Sequence, residues 1–195
     1  MRRRTFDTLM SAGGLMLTIA LVVAGILAFW GYNFADSNVR EQLTQQKIFF
    51  PPAGSEALAP AEIGPYLNRY AGQQMTTGAQ AEAYANHFIG VHLAEVAGGK
   101  TYSEVSTLAR ANPTDPALQG QVQTLFRGET LRGLLLQAFA FWKIGQLAKI
   151  GGIVAFALAF VMALLTILGF LHLRRVSEDE QILAPVIESK TRRVS

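Results

Sequence analysis

Two long runs without charged residues constrain this chain more than any other feature. One run extends from Thr8 to Ala35, and the other, from Ile150 to Leu173, contains His172 as its sole ionisable residue. Each run exceeds the ~20 apolar residues that a helix needs to cross ~30 Å of hydrocarbon. The sequence therefore predicts two transmembrane helices, over residues 9–31 and 150–173.

The first run could instead belong to a cleaved signal peptide, because Arg2, Arg3 and Arg4 precede it. However, its apolar core from Leu9 to Trp30 is longer than the ~7–15 residues of a signal-peptide core, and no clear A-x-A cleavage site follows. We therefore expect an uncleaved membrane anchor.

Arginines flank the two runs in a way that predicts their orientation. The sequence MRRRT precedes the first run and HLRRV follows the second, and such basic clusters favour the cytoplasmic side of a membrane. We expect a plasma-membrane protein with both termini in the cytoplasm, in segments 1–8 and 174–195. Residues 32–149 are then expected to form an extracytoplasmic domain.

The predicted outer domain carries no net charge, since it contains nine Lys/Arg and nine Asp/Glu residues. This balance argues against a nucleic acid as the partner. The 195-residue chain contains no cysteine. The domain is therefore expected to be stabilised by its own packing and by the membrane helices, without disulfide bonds.

Local signals divide the outer domain into helices. The first membrane helix can continue through DSNVREQLTQQK until Pro51 and Pro52, and no run alternates apolar and polar residues as a strand would. Capping residues predict three later helix starts, the last of which leads into the second span. These starts are Thr77 with Gln80, Thr101 with Glu104, and Asp115 with Pro116.

The predicted fold is an all-α membrane protein. Its two transmembrane helices form an antiparallel hairpin, and its helical extracytoplasmic domain is built partly on extensions of the spans. Small residues at four-residue spacing predict a packing seam, because they let helix backbones approach closely. In an antiparallel hairpin, residues at the same membrane depth have numbers with a constant sum, and three pairs of these residues share one such sum. The seam could also join copies of the chain, or reflect chance in alanine-rich helices. Its members are Ala20, Ala24, Ala28, Gly151, Ala155, Ala159 and Ala163.

The stretch NHFIGVHLAE contains His87, His92 and Glu95, which are the ligand types of a non-haem iron site. On an α-helical wheel the two histidines lie ~140° apart, so one helix cannot present both to a single metal ion. We expect His92 to lie at the edge of the core with a hydrogen bond to a neighbour. No nucleophile motif or phosphate loop is present either, so the sequence predicts no metal, no cofactor and no enzymatic activity.

Two other patterns predict contacts with other molecules. Arginines before a hydroxyl resemble basophilic-kinase sites at Thr5, Ser177 and Ser195, although the same arginines also set topology. An exposed apolar patch would mark a partner surface. The candidates for that patch are Ile48, Phe49, Phe50, Phe139, Phe141 and Trp142.

Four segments carry a family resemblance: QQKIFFPP, YAGQQMTTGAQAEAYANHFIGVHL, GGKTYSEVS and VQTLFRGETLRGLLLQAFAFW. Together with the two-span layout they resemble a family of actinobacterial membrane proteins, over most of residues 39–142. The resemblance implies the plasma membrane of a Gram-positive, high-GC bacterium. Members of such families sometimes carry the label of an aromatic ring-opening dioxygenase, which the predicted geometry of His87 and His92 does not support.

These features predict a non-enzymatic accessory or interaction subunit at the outer face of the plasma membrane. Its partners would be the lipid bilayer and other membrane or envelope proteins. The alternative is an envelope sensor that couples the outer domain to the cytoplasmic tail, and a membrane-bound enzyme is third. The sensor would need a ligand pocket between the outer helices, and the accessory subunit an exposed apolar patch.

Overall fold

The chain is mostly helical in a computed structural model that describes residues 3–175. No described residue belongs to a β-strand, although Phe49 and Gln74 form an isolated antiparallel bridge. Short 3-10 turns precede and follow α2, and a π-helical turn joins α3 to α4. The α-helices are α1 (Arg3–Gln46), α2 (Gly64–Leu67), α3 (Gly78–Tyr84), α4 (Gly90–Ala97), α5 (Tyr102–Ala111) and α6 (Pro116–Leu173).

Side-chain capping sets the starts of α3 and α5. The Thr77 hydroxyl accepts a hydrogen bond from the Gln80 backbone N–H, and the Gln80 side chain accepts one from the Thr77 backbone N–H at 3.0 Å. Thr101 and Glu104 form the same reciprocal pair, with the backbone bond at 2.7 Å. Both predicted capping boxes are confirmed. The sequence could predict them because each depends on residues only three positions apart.

The two longest helices also begin and end near the predicted positions. Asp115 caps α6 by accepting a hydrogen bond from the Ala117 backbone N–H at 2.9 Å, and α6 then continues for 58 residues without interruption. Helix α1 is 44 residues long and ends at Gln46, shortly before the two prolines. Both helices are long and apolar enough to cross a membrane.

The chain divides into two compact units, and α1 and α6 contribute residues to both. Of the described residues, unit 1 contains 3–29 and 149–175, and unit 2 contains Trp30–Ala148.

In unit 1, a glycine on each helix packs against an aromatic ring of the other helix. A Cβ added at Gly25 would lie 2.9 Å from Cζ of Phe156, and one added at Gly152 would lie 2.7 Å from Cδ2 of Phe29. The two phenylalanine rings are in contact, with centroids 5.8 Å apart. Large apolar side chains elsewhere in unit 1 are exposed, among them Leu9, Met16, Leu27, Phe160 and Leu168.

Unit 2 buries its large apolar side chains in two clusters. The second cluster contains Leu93, Ala97, Val105 and Leu125, from α4, α5 and α6. The first cluster is larger and brings α1, α2, α3 and α6 together with the loops between them. Its buried members are Val39, Leu43, Phe50, Leu58, Ile63, Leu67, Met75, Ala81, Ala83, Ala85 and Leu135.

Trp142 of α6 links three helices of unit 2. Its indole N–H donates to Oδ1 of Asp36 on α1 at 3.1 Å. The start of α3 lies against its side chain, because a Cβ added at Gly78 would be 2.5 Å from Cβ of Trp142. Glycine at this position therefore allows the close approach of α3 and α6.

Candidate functional site

The histidine-containing segment departs from the regular α-helix that the sequence predicts. Ala85–Ile89 form a π-helical turn, in which the Gly90 N–H donates to the Ala85 carbonyl five residues earlier. The wider turn rotates the residues after it relative to those before it. The predicted angle between His87 and His92 is therefore wrong, because it assumed 3.6 residues per turn throughout.

His87 contacts an aromatic ring of another helix. Its imidazole stacks on Tyr66 of α2 with ring centroids 3.5 Å apart and planes within 5° of parallel. His87 is half-buried, whereas Tyr66 is exposed. This stack therefore attaches α2 to the π-helical turn.

His92 bonds within its own helix. Its Nδ1–H donates to the Phe88 carbonyl at 2.7 Å, and the two rings are 4.5 Å apart. The expected hydrogen bond to a neighbour is confirmed, but the side chain is exposed rather than at the edge of the core, because the π turn rotates it outward. Glu95 is exposed too, and among residues 3–175 no three His, Asp or Glu side chains converge as a metal site.

A polar network connects the π turn to α6. Asn86 Nδ2 donates to Glu82 at 3.0 Å, and Arg132 of α6 donates to Asn86 Oδ1 at 3.3 Å. Arg132 also pairs with Glu129 at 3.3 Å. These bonds hold the π turn against α6, although the Nε–H of Arg132 is buried and makes no hydrogen bond within the described part of the chain.

Two groups in unit 2 have shifted pKa values. Burial raises the pKa of the Tyr84 phenol. The Thr101 backbone N–H lowers the pKa of the Glu104 carboxyl by donating to it, and the Thr101 hydroxyl adds to this effect. Each shift moves the pKa further from neutral pH. Neither group is thereby tuned as a general acid or base, which works best with a pKa near the operating pH.

The residues predicted to form a partner surface lie in different environments. Phe50 is only 2 % exposed, and Ile48 and Trp142 pack against the same cluster. Phe139 is half-buried, with its ring centroid 6.2 Å from that of Trp142. The exposed members of the set are Phe49 and Phe141.

Between α1 and α6 in unit 2 lies a groove of about 340 Å³. The buried side chains of Val39, Leu43 and Leu135 form its floor. None of the described residues that line it is charged. The other lining residues are apolar or carry amides: Leu131, Leu134, Ala138 and Phe141, and Asn38, Gln42, Gln46 and Gln137.

Exposed aromatic rings continue from one end of this groove. Phe141, which lines the groove, packs edge-on against Phe34 with centroids 6.2 Å apart. Phe34 in turn stacks on Trp30 at 5.8 Å. Trp30 is 67 % exposed and is the first residue of unit 2. An apolar surface thus runs from the groove to the beginning of the unit.

A second pair of exposed aromatic rings lies where α5 meets α6. Tyr102 and Phe126 are 40 % and 57 % exposed, and their centroids are 5.9 Å apart. A shallow depression beside them is also lined by Gln119, Val122 and Gln123. Sequence reasoning missed this pair and the groove, because both depend on which faces of distant helices meet.

Glycines outside the predicted alanine seam also make close contacts in unit 1. Gly14 lies beside Thr166, and Gly169 lies beside Ser11, as Gly25 and Gly152 lie beside phenylalanines. The seam itself stays a prediction. Of its members, Ala159 is buried, Ala28, Ala155 and Ala163 are half-buried, and Ala20, Ala24 and Gly151 are exposed.

Only one of the three predicted phosphorylation sites lies among the described residues. Thr5 is exposed on α1, whereas Ser177 and Ser195 lie outside the described residues. All three stay predictions.

The chain matches no family model, and no curated protein or solved structure matches it significantly. The actinobacterial resemblance therefore stays a prediction, and inference about function rests on the geometry above.

Proposed function

We propose that the chain crosses the plasma membrane twice, at residues 9–31 and 150–173, as an antiparallel hairpin with unit 2 on the outer face. The support comes from unit 1, where large apolar side chains are exposed while glycines lie between the helices. In water, each Å² of such exposed surface would forgo ~25 cal/mol of burial free energy. In a bilayer it would not, because lipid tails are as apolar as leucine.

The proposed orientation is supported by the arginines that flank the two apolar runs. Arg2, Arg3 and Arg4 precede the first run, and Arg174 and Arg175 follow the second. Positive residues close to the ends of a span favour the cytoplasmic side. We therefore propose that both termini lie in the cytoplasm and that unit 2, with eight Lys/Arg and nine Asp/Glu residues, lies outside.

For unit 2 we propose the role of a non-enzymatic interaction subunit, whose partner is a protein of the membrane or the cell envelope. The observation that carries this role is the exposed pair of Tyr102 and Phe126. Aromatic residues are enriched at protein interfaces and at their energetic hot spots. Gln119 and Gln123, which lie beside the rings, can donate and accept hydrogen bonds at the rim of such an interface.

Affinity purification in mild detergent, followed by mass spectrometry of co-purifying proteins, tests this role. We expect a specific membrane or envelope protein with the wild-type chain and its loss with Phe126→Ala. Leu108→Ala is the control, because it removes an exposed apolar side chain of α5 that belongs to no predicted partner surface. A partner retained by the Phe126 variant, or lost equally from both variants, would contradict the assignment of this surface.

A second candidate function, the envelope sensor, is supported by a different observation. A sensor needs a ligand site in its outer domain, and the groove between α1 and α6 is a concave site with an apolar floor and amide side chains on its walls. Both helices that line it continue into the residues proposed to cross the membrane. A ligand in the groove would therefore contact the same two helices that form the spans.

A further inference from the structure

We infer that the groove between α1 and α6 of unit 2 binds one acyl chain of a phospholipid from the outer leaflet. The inference rests on the proposed membrane placement of the two apolar segments. It adds a lipid ligand to a domain for which we otherwise propose a protein partner at Tyr102 and Phe126.

The length of the groove fits an acyl chain. Its α6 wall extends over eleven residues from Leu131 to Phe141, whose ten rises of 1.5 Å span about 15 Å. The hydrocarbon core of a bilayer is about 30 Å thick, so each leaflet contributes chains of about 15 Å. The groove is therefore as long as one acyl chain.

The lining has the chemistry of a lipid site. Its floor is apolar, and none of the described lining residues would hold a charge against the chain. Gln42 donates to Oδ1 of Asn38 at 2.9 Å, so the Asn38 amide N–H group remains a donor at the groove. Asn38 is the lining residue of α1 nearest in sequence to Trp30. It can therefore donate to an ester carbonyl of the lipid at that end, while the chain extends towards Leu131.

The aromatic surface supplies a route from the bilayer to the groove. Trp30 lies at the outer end of the proposed span 9–31, and tryptophan concentrates at the membrane–water interface. Phe34 is one helical turn further, about 6 Å along α1, and it contacts Phe141 at the groove. An acyl chain that leaves the leaflet along these three rings stays on apolar surface.

Photocrosslinking in vesicles tests the inference on the full-length chain. The probe is a phosphatidylcholine with a diazirine at the end of one acyl chain, in vesicles of phosphatidylcholine and phosphatidylglycerol. After illumination, we expect adducts at Leu131, Leu134 or Leu135 in addition to adducts in the two spans. Ala138→Phe places a ring in the groove and should lower the groove adducts about tenfold, because an overpacked site excludes its occupant.

Ala140→Phe is the matched control, because it makes the same change at an exposed position outside the lining. Leu134→Gln, at an exposed wall position that tolerates a polar residue, should also lower the groove adducts and serves if Ala138→Phe fails to fold. Adducts confined to residues 9–31 and 150–173, or groove adducts unchanged in both groove variants, would overturn the inference while leaving the membrane placement intact. A lack of adducts in the spans as well would contradict the proposed membrane placement itself.

Discussion

The two units distribute large and small side chains in opposite ways. In unit 2, Leu43, Ile63 and Leu67 are almost completely buried. In unit 1, Leu9 and Phe160 are 63 % and 66 % exposed, while glycines and Ala159 lie at the helix contact.

The difference is what the proposed membrane placement predicts for two units in different solvents. Burial of apolar area stabilises a fold through the hydrophobic effect when the surroundings are water, as proposed for unit 2. Where the surroundings are lipid, helices associate through close packing of small residues instead. The proposed membrane placement accounts for both patterns within one chain.

The largest expected effect is all-or-none and concerns the side of the membrane on which each region lies. In this cysteine-free chain, Ser103→Cys introduces a thiol at an exposed position of unit 2, and Ser177→Cys introduces one after the second span. With a membrane-impermeant maleimide on intact cells, we expect labelling at position 103 and none at 177 until the cells are opened. The reverse pattern would invert the proposed topology.

The next largest effect compares truncation of the same side chain in the two units. Leu135 is 1 % exposed in the larger core cluster, so Leu135→Ala should lower the free energy of unfolding by ~2–5 kcal/mol. Leu168→Ala removes an exposed leucine from unit 1 and should change it little in detergent. Denaturant unfolding in mild detergent, followed by circular dichroism, measures both. Equal losses would show that the two units do not differ in solvent.

A smaller effect is expected at the glycine–phenylalanine contacts of unit 1. Gly25→Leu should destabilise the helix pair by ~1–3 kcal/mol, because the new side chain would overlap the Phe156 ring. Gly13→Leu is the control, since a Cβ there meets no described atom within 4 Å. Melting temperatures in detergent give the difference. Ala24→Leu then tests the alanine seam predicted from the sequence. If the seam exists, this change should lower the melting temperature about as much as Gly25→Leu does.

The smallest effect concerns pH and the capping box of α5. The Thr101 backbone N–H lowers the pKa of Glu104 in the folded state. The ionised Glu104 carboxylate therefore stabilises the fold above its unfolded pKa of about 4.3. This contribution is lost as pH falls through the lower folded pKa. Glu104→Gln should lower the melting temperature slightly at pH 7, and its difference from wild type should vanish at low pH.

What the sequence could predict depended on how far apart the interacting residues are. The starts of α3, α5 and α6 follow from side chains within three positions of each other, and all three predictions are confirmed. The groove and the Tyr102–Phe126 pair were not predictable in this way. The first requires α1 and α6, roughly ninety residues apart in the chain, to meet along particular faces, and no local pattern encodes that choice.

The partner surface illustrates a related limit. Phe49 and Phe50 are adjacent and chemically identical, yet one is exposed and the other is part of the core. In an extended segment, successive side chains point to opposite sides. The prediction of an exposed Phe50 is therefore wrong, because its contacts with Tyr70 and Tyr84 turn that side of the segment into the core.

The π-helical turn acts as a phase shifter within what would otherwise be one helix. In a regular α-helix, Leu93 would lie ~120° around the axis from Ala81. The wider turn sets the residues after it back by about 100°, the angle of one residue, so Leu93 falls within ~20° of Ala81. One side of the segment thus contributes Ala81 and Ala85 to the first core cluster and Leu93 and Ala97 to the second.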